Sequence, residues 1–182
     1  MLKKISVPFL GILLFSLPVM AAETHAAEFQ NGRFQSLMIQ AVGRSFDLDE
    51  DGADVLLKKA IALEPENPMG YALEAMLHIF AYEMCFTLEQ RRKEKEAIFF
   101  YAGEALLRGE KRISVNPRDS QAWLAMALAK VARVHWAIQE KRYFVMARET
   151  LNIWNYLEAA KSADPNNYDV DYLTGLLHYH ID

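Results

Sequence analysis

The chain of 182 residues carries a single cysteine, Cys85, so no internal disulfide can form and stability must come from packing alone. A basic excess is missing as well: 20 Lys and Arg face 24 Asp and Glu, for a net charge of −4. That balance argues against a nucleic-acid partner, whose phosphates need a basic stripe. No alternating strand pattern survives more than a few residues. There is no Ser/His/Asp arrangement, phosphate loop or nucleotide fingerprint. The expectation is therefore a protein that binds rather than catalyses, and one that needs no cofactor.

A continuous apolar run occurs in one place only, at the start. Lys3 and Lys4 precede an apolar stretch over residues 5–17, broken by Pro8 and Gly11, and Val19-Met20-Ala21 follows with small residues. Thirteen residues of helix reach about 20 Å, short of the roughly 30 Å of bilayer hydrocarbon. The pattern predicts a signal peptide over 1–21, cleaved after Ala21, with Ala26 as the second choice. No cysteine lies near the site, so the expected product is a periplasmic protein and not a lipoprotein. It would have no membrane span after cleavage and one folded domain over 22–182. The 52% hydrophobic content fits a folded chain rather than a disordered one.

Three proline-centred segments divide the rest: Glu64-Pro65-Glu66-Asn67, Asn116-Pro117-Arg118-Asp119 and Asp164-Pro165-Asn166-Asn167. Each follows an Ala/Leu-rich amphipathic stretch and precedes another. The residue before a proline is steered out of the helical region, so Glu64, Asn116 and Asp164 are expected helix ends. Helices are predicted over residues 29–44 and 53–63, from Pro68 to about Phe86, and from Thr87 to about Val115. Thr87 with Gln90 forms the capping box that opens the last of these. Between Ser120 and Ala163 there is neither Gly nor Pro. Length nevertheless forces a hairpin there, with its bend near 139–141, where the apolar stripe lapses. A final helix from Tyr168 makes seven.

Ala53-x3-Leu57-x2-Ala60 before Pro65, and Ile153-x3-Leu157-x2-Ala160 before Pro165, resemble the second-helix signature of a tetratricopeptide repeat. Trp123-x2-Met126-Ala127 and Tyr71-x2-Glu74-Ala75 are loosely similar to its first-helix signature, and Gly175 falls at the small position of a third copy. Before Pro117 the pattern departs, since Gly109 and Arg112 replace the expected large and small apolar residues. The prolines stand 52 and 48 residues apart, against a family period of about 34. An excess of about two heptads adds roughly two turns to each helix without turning its buried face away. The resemblance implies an all-α, right-handed solenoid of elongated helical hairpins, with corners at Pro65, Pro117 and Pro165.

It also implies a function. A stacked-hairpin solenoid lines a concave wall with its first helices, where a partner peptide or helix can lie. By the family's offsets that wall carries Met69, Ala72, Met76 and Ile79 from one unit, and Gln121, Leu124, Leu128 and Val131 from the next. These are nearly all apolar, so the expected role is an interaction scaffold that takes an apolar protein partner, unless the chain's own N-terminal helix covers the wall. The alternatives are a small-molecule or lipid-binding protein of the cell envelope, favoured by polar groups converging in a pocket, and a structural envelope component.

Asp47-Leu48-Asp49-Glu50-Asp51-Gly52 matches the first half of a calcium loop. Lys58 stands at the twelfth position, where a bidentate Glu is needed, so Asp47, Asp49 and Asp51 form only a weak cation candidate. His78 and His135, single among apolar neighbours, read as hydrogen-bonded core histidines. His178 and His180, two apart on a helix, point to different faces and cannot share an ion. No metal is expected. The last helix carries apolar residues on more than one face, which predicts an uncovered strip and self-association through it.

Overall fold

The computed structural model describes residues 32–181, with side chains as far as His178. The described chain is helical throughout: α1 (Gly32–Phe46), α2 (Glu50–Leu63), α3 (Pro68–Met84), α4 (Leu88–Val115), α5 (Ser120–Gln139), α6 (Tyr143–Ala163) and α7 (Tyr168–Ile181). The expected signal peptide, 1–21, and the first three residues of the expected first helix, 29–31, lie outside the described residues. Among those described, no helix is long and apolar enough to cross a membrane.

The three proline corners share one local geometry. In each, the residue before proline ends its helix by donating its N–H four residues back: Glu64 to Ala60, Asn116 to Arg112 and Asp164 to Ala160. The residue two after proline then closes a tight turn onto the carbonyl of that helix-ending residue, Asn67 to Glu64, Asp119 to Asn116 and Asn167 to Asp164. At the first two corners this residue also caps the next helix. Asn67 Oδ1 accepts from the Met69 N–H at 3.1 Å and Asp119 Oδ1 from the Ala122 N–H at 2.9 Å. Six residues past the proline an aromatic returns to it: Tyr71 Oη donates to the Pro65 carbonyl at 3.1 Å and Trp123 Nε1 to that of Pro117 at 3.0 Å. At the third corner Lys161 Nζ donates to the Pro165 carbonyl at 2.7 Å instead.

The turns inside the hairpins are of two kinds. Between α3 and α4 the expected capping box is present, with Thr87 and Gln90 each satisfying the other's backbone. The α1–α2 and α5–α6 turns end on a non-glycine residue in the left-handed region, Leu48 at φ 60 and Lys141 at φ 54. Around them the N–H groups of Asp49 and Arg142 return to Arg44 and Ala137, and those of Leu48 and Lys141 to Ser45 and Ile138. That is the paired bonding of a Schellman C-cap.

Burial separates the helices into two classes. α3 and α5 are buried on nearly every face, whereas α2, α4 and α6 bury one stripe each. The stripes of these outer helices lie at the same distances before their prolines: Ala53, Leu57 and Ala60; Ala105, Gly109 and Arg112; Ile153, Leu157 and Ala160. Gly109 stands where the others have leucine because Met126 fills that space, and a Cβ at 109 would sit 2.3 Å from Met126 Cγ. Arg112 replaces a small apolar residue and reaches the helix-capping Asp119 at 2.6 Å. α3 packs against α2, α4 and α5, and α5 packs in turn against α4 and α6.

In the last helix Val170, Leu173, Leu176 and Leu177 are all buried. Tyr172 is half-buried and Tyr168 exposed, while the side chains of Tyr179 and Ile181, on which the expected uncovered strip also rests, lie outside those described.

Candidate functional site

The eight residues expected to line a binding wall are not open to solvent in this structure. Met69, Ala72, Met76, Ile79, Gln121, Leu124, Leu128 and Val131 are each less than one-tenth exposed. The reason is that α3 and α5 are central helices, packed on several sides, so their apolar faces are core. A partner would have to uncover these side chains before touching them.

The acidic turn also serves another purpose. Asp49 caps α2, its Oδ1 accepting from the Gly52 N–H at 3.0 Å, while its other oxygen pairs with Arg44 at 2.6 Å. A Cβ at Gly52 would lie 2.3 Å from Asp49 Oδ2, so a side chain there would displace the capping carboxylate. Asp47, Asp49 and Asp51 therefore do not pool their oxygens around one point. The Arg44 hydrogen bond and the Gly52 N–H hold the Asp49 carboxyl below its ordinary range.

Another set of side chains does converge. Among the described residues, one group of His, Cys, Asp and Glu gathers potential ligand atoms: Asp54 on α2 with Glu74 and His78 on α3, all within 4.8 Å of one another. Glu74 and His78 are four apart on a helix and so share a face. α2 crosses that face and delivers Asp54. Asp54 and His78 line a cleft of ≈ 580 Å³ between α2, α3 and α4, together with Glu50, Lys58, Lys93, Glu94 and Tyr101, and Glu74 lies buried behind them.

The group has an unusual electrostatic character. Glu74 is fully buried, and neither carboxylate oxygen has a hydrogen-bond partner. Burial, followed by the nearby charge of Asp54, pushes its carboxyl up to about 8, against the opposing pull of Lys58. His78 is oriented from two sides. Its Nδ1 lies 2.7 Å from Glu94 Oε2, and its ring stacks on Tyr101 with centroids 5.3 Å apart. Its other nitrogen, Nε2, lies 3.9 Å from Glu74 Oε2, beyond hydrogen-bond reach. Lys58 bridges to Asp54 at 2.7 Å and is half exposed. Burial, then Glu94 and Asp51, raises the Glu50 carboxyl at the rim. The cleft is thus acidic overall, and the carboxyl group of Glu74, buried behind Asp54 and His78, lacks a hydrogen-bond partner.

The remaining candidate residues have structural partners. His135, buried as expected, meets Glu83 at 2.5 Å, and Gln139 Nε2 donates to the same carboxylate at 2.9 Å. The His135 hydrogen bond is the largest influence holding the Glu83 carboxyl low. Tyr82 Oη donates to Glu140 at 2.5 Å, and together these bonds tie the α3–α4 turn to the α5–α6 turn. Cys85 is half-buried and donates to the Ala81 carbonyl, and burial raises its thiol. His178 lies against Trp154, with centroids 4.8 Å apart; the side chain of His180 lies outside those described.

Sequence reasoning weighed His78 alone and passed over Glu74. The available signal was a glutamate four residues before a histidine within an otherwise apolar helix. Glu74 stands nine residues after Pro65, the position that Met126 occupies after Pro117. The chain matches no protein-family model, no curated protein and no solved structure.

Proposed function

We propose that this chain is a ligand-binding member of the tetratricopeptide-like class, not an enzyme, and that its ligand is a small cationic species entering the α2–α3–α4 cleft. The observation that carries this reading is Glu74, a fully buried carboxyl group without a hydrogen-bond partner, set behind Asp54 and His78 in the wall of a cleft rich in acids. A buried polar group without a partner is costly, and a ligand that completes it recovers that cost on binding. Support for a repeat stack comes from the three equivalent corners and from α5 packing on both helices of the preceding hairpin. The Lys3–Ala21 segment adds export to the cell envelope, which fractionation of expressing cells would test.

The test of the binding role is a thermal-shift series with polyamines, guanidinium compounds and divalent cations. A ligand at this site stabilises the parent chain and loses most of that effect in Asp54→Asn and Glu94→Gln. Equal stabilisation of parent and variants would refute the placement.

A second reading, the scaffold for a protein partner, has an observation of its own. Met84, Phe86 and Leu88 at the α3–α4 turn are exposed, and so are Ile138, Tyr143 and Phe144 at the adjoining α5–α6 turn. Apolar groups gathered at one edge are a recognised mark of a contact surface. Capture of an apolar partner helix that is lost in Phe86→Ser with Phe144→Ser would favour this reading over the cleft.

A further inference from the structure

The geometry points to a specific ligand for that cleft: we infer that Asp54, Glu74 and His78 form a binding site for a divalent transition-metal cation, of which zinc is the working probe. The inference rests on the cleft being the binding site and names what fills it. Two carboxylates and one imidazole are an established donor set for such ions, with further positions left to water or a second ligand. All three residues offer ligand atoms within 4.8 Å of one another. Ligand bonds of about 2.0–2.2 Å set neighbouring donor atoms a little over 3 Å apart. Small rotamer changes therefore close the set around one ion.

Two independent observations single this group out from an ordinary acidic patch. The first is Glu74 itself, wholly buried, without a hydrogen-bond partner, and within ligand reach of the other two. The second is the support behind His78. Metal-bound histidines donate their remote N–H to a carboxylate, which fixes the tautomer and strengthens the ligand nitrogen. Glu94 Oε2 stands 2.7 Å from His78 Nδ1 and accepts that proton. Nε2 then turns its lone pair toward Glu74 Oε2, 3.9 Å away, a gap too long for a hydrogen bond and suited to a shared cation. Lys58 is the competing positive charge on Asp54, and its side chain is 55% exposed, so it is free to swing out when an ion enters. Asp54 and His78 both line the cleft, which supplies the entry path. An imidazole donor disfavours magnesium and calcium, which prefer all-oxygen sites.

The test is isothermal titration of the full chain with zinc chloride, in buffer containing excess magnesium and calcium. The expected result is one zinc ion bound per chain without competition from those ions. Glu74→Gln and His78→Gln each weaken binding by at least about 100-fold, and Glu94→Gln by about 10- to 100-fold. Lys58→Met tightens binding because the resident counter-charge is gone, and this gain does not depend on a variant that could unfold. Cys85→Ser leaves binding unchanged. Absence of one-to-one binding, or unchanged affinity in Glu74→Gln and His78→Gln, overturns the inference. If spermidine binds the cleft in a Glu94-dependent way and zinc does not, the metal site falls and the cleft reading stands. If neither binds, both fall.

Discussion

The α3–α4 and α5–α6 hairpins carry polar residues at the same level of the fold, and they treat them in opposite ways. Thirteen residues after the corner proline stands His78 in one and Lys130 in the other; sixteen before the following proline stand Tyr101 and Glu149. In α5–α6 the acid is answered from within the chain. Glu149 is buried, yet Lys130 lies 2.7 Å from it, Arg133 3.1 Å and Arg148 3.2 Å. Burial pushes the Glu149 carboxyl up, but Lys130 and the two arginines together bring it below its ordinary range. In α3–α4 the corresponding pair is His78 stacked on Tyr101, and the buried acid is Glu74, with acidic neighbours and one half-exposed lysine. Glu149 Oε2, like the Glu74 oxygens, makes no well-formed hydrogen bond. What separates two equally buried acids is therefore charge: three cations surround one, and a single half-exposed lysine opposes the acids around the other. The neighbours decide, not the depth.

The largest expected effect follows from removing each acid in turn. Glu149→Ala leaves Lys130 buried and Arg133 partly buried without their counter-charge, and chemical denaturation should show a loss of about 3–5 kcal/mol. Glu74→Leu removes a carboxylate that no described group satisfies. It should leave metal-free stability unchanged or raised, as replacing an unsatisfied polar group often does. Similar losses in both variants would erase the distinction between the two hairpins.

Titration separates them by sign. The folded Glu74 carboxyl sits at about 8 against an ordinary value of 4.5. The native chain therefore keeps a proton that the unfolded chain has lost, and stability falls as pH rises from about 4.5 toward 8. The slope approaches roughly 1 kcal/mol per pH unit. Glu149 works in the opposite direction: its folded value is lowered, so its contribution is present above the unfolded value of 4.5 and is lost as pH falls below it. Denaturation of chelator-treated protein across pH 3–8 checks both. Glu74→Gln should flatten the decline on the neutral side, and Glu149→Gln should remove the loss on the acid side.

A smaller effect concerns Gly109. With a methyl group at 109, Met126 must move, and Gly109→Ala should cost about 1–3 kcal/mol in thermal unfolding. Met126→Ala in the same chain should recover part of that loss by vacating the space. The smallest concerns the turns: Lys141→Gly removes the left-handed strain from the α5–α6 cap and should stabilise by about 1 kcal/mol.

What the sequence reveals is whatever local chemistry decides. The corners are legible because Pro65, Pro117 and Pro165 act on their immediate neighbours, and the Thr87–Gln90 box because it closes within four residues. The α5–α6 bend is legible because the apolar stripe lapses at Gln139. The site is not, since Asp54, Glu74 and Glu94 come from three helices and only the crossing of α2 over α3 brings them together. The burial of the expected wall is illegible for a related reason. Periodicity shows that Met76 and Leu124 are apolar, but not that α3 and α5 are enclosed on several sides. In the acidic turn the carboxylates sit beside a helix N-terminus, and which of them caps it is settled by geometry: Asp49 is consumed by the Gly52 N–H and by Arg44.

The most direct test of the contrast between the hairpins is the zinc-dependent shift in unfolding free energy, measured on the full chain and on Glu74→Gln. At zinc 100 times the parent's dissociation constant, the parent should gain about 2.7 kcal/mol and the variant, bound at least about 100-fold more weakly, no more than about 0.4 kcal/mol. Equal gains in the two proteins, or no gain in the parent, would contradict the assignment of Glu74 as the group that an incoming cation completes.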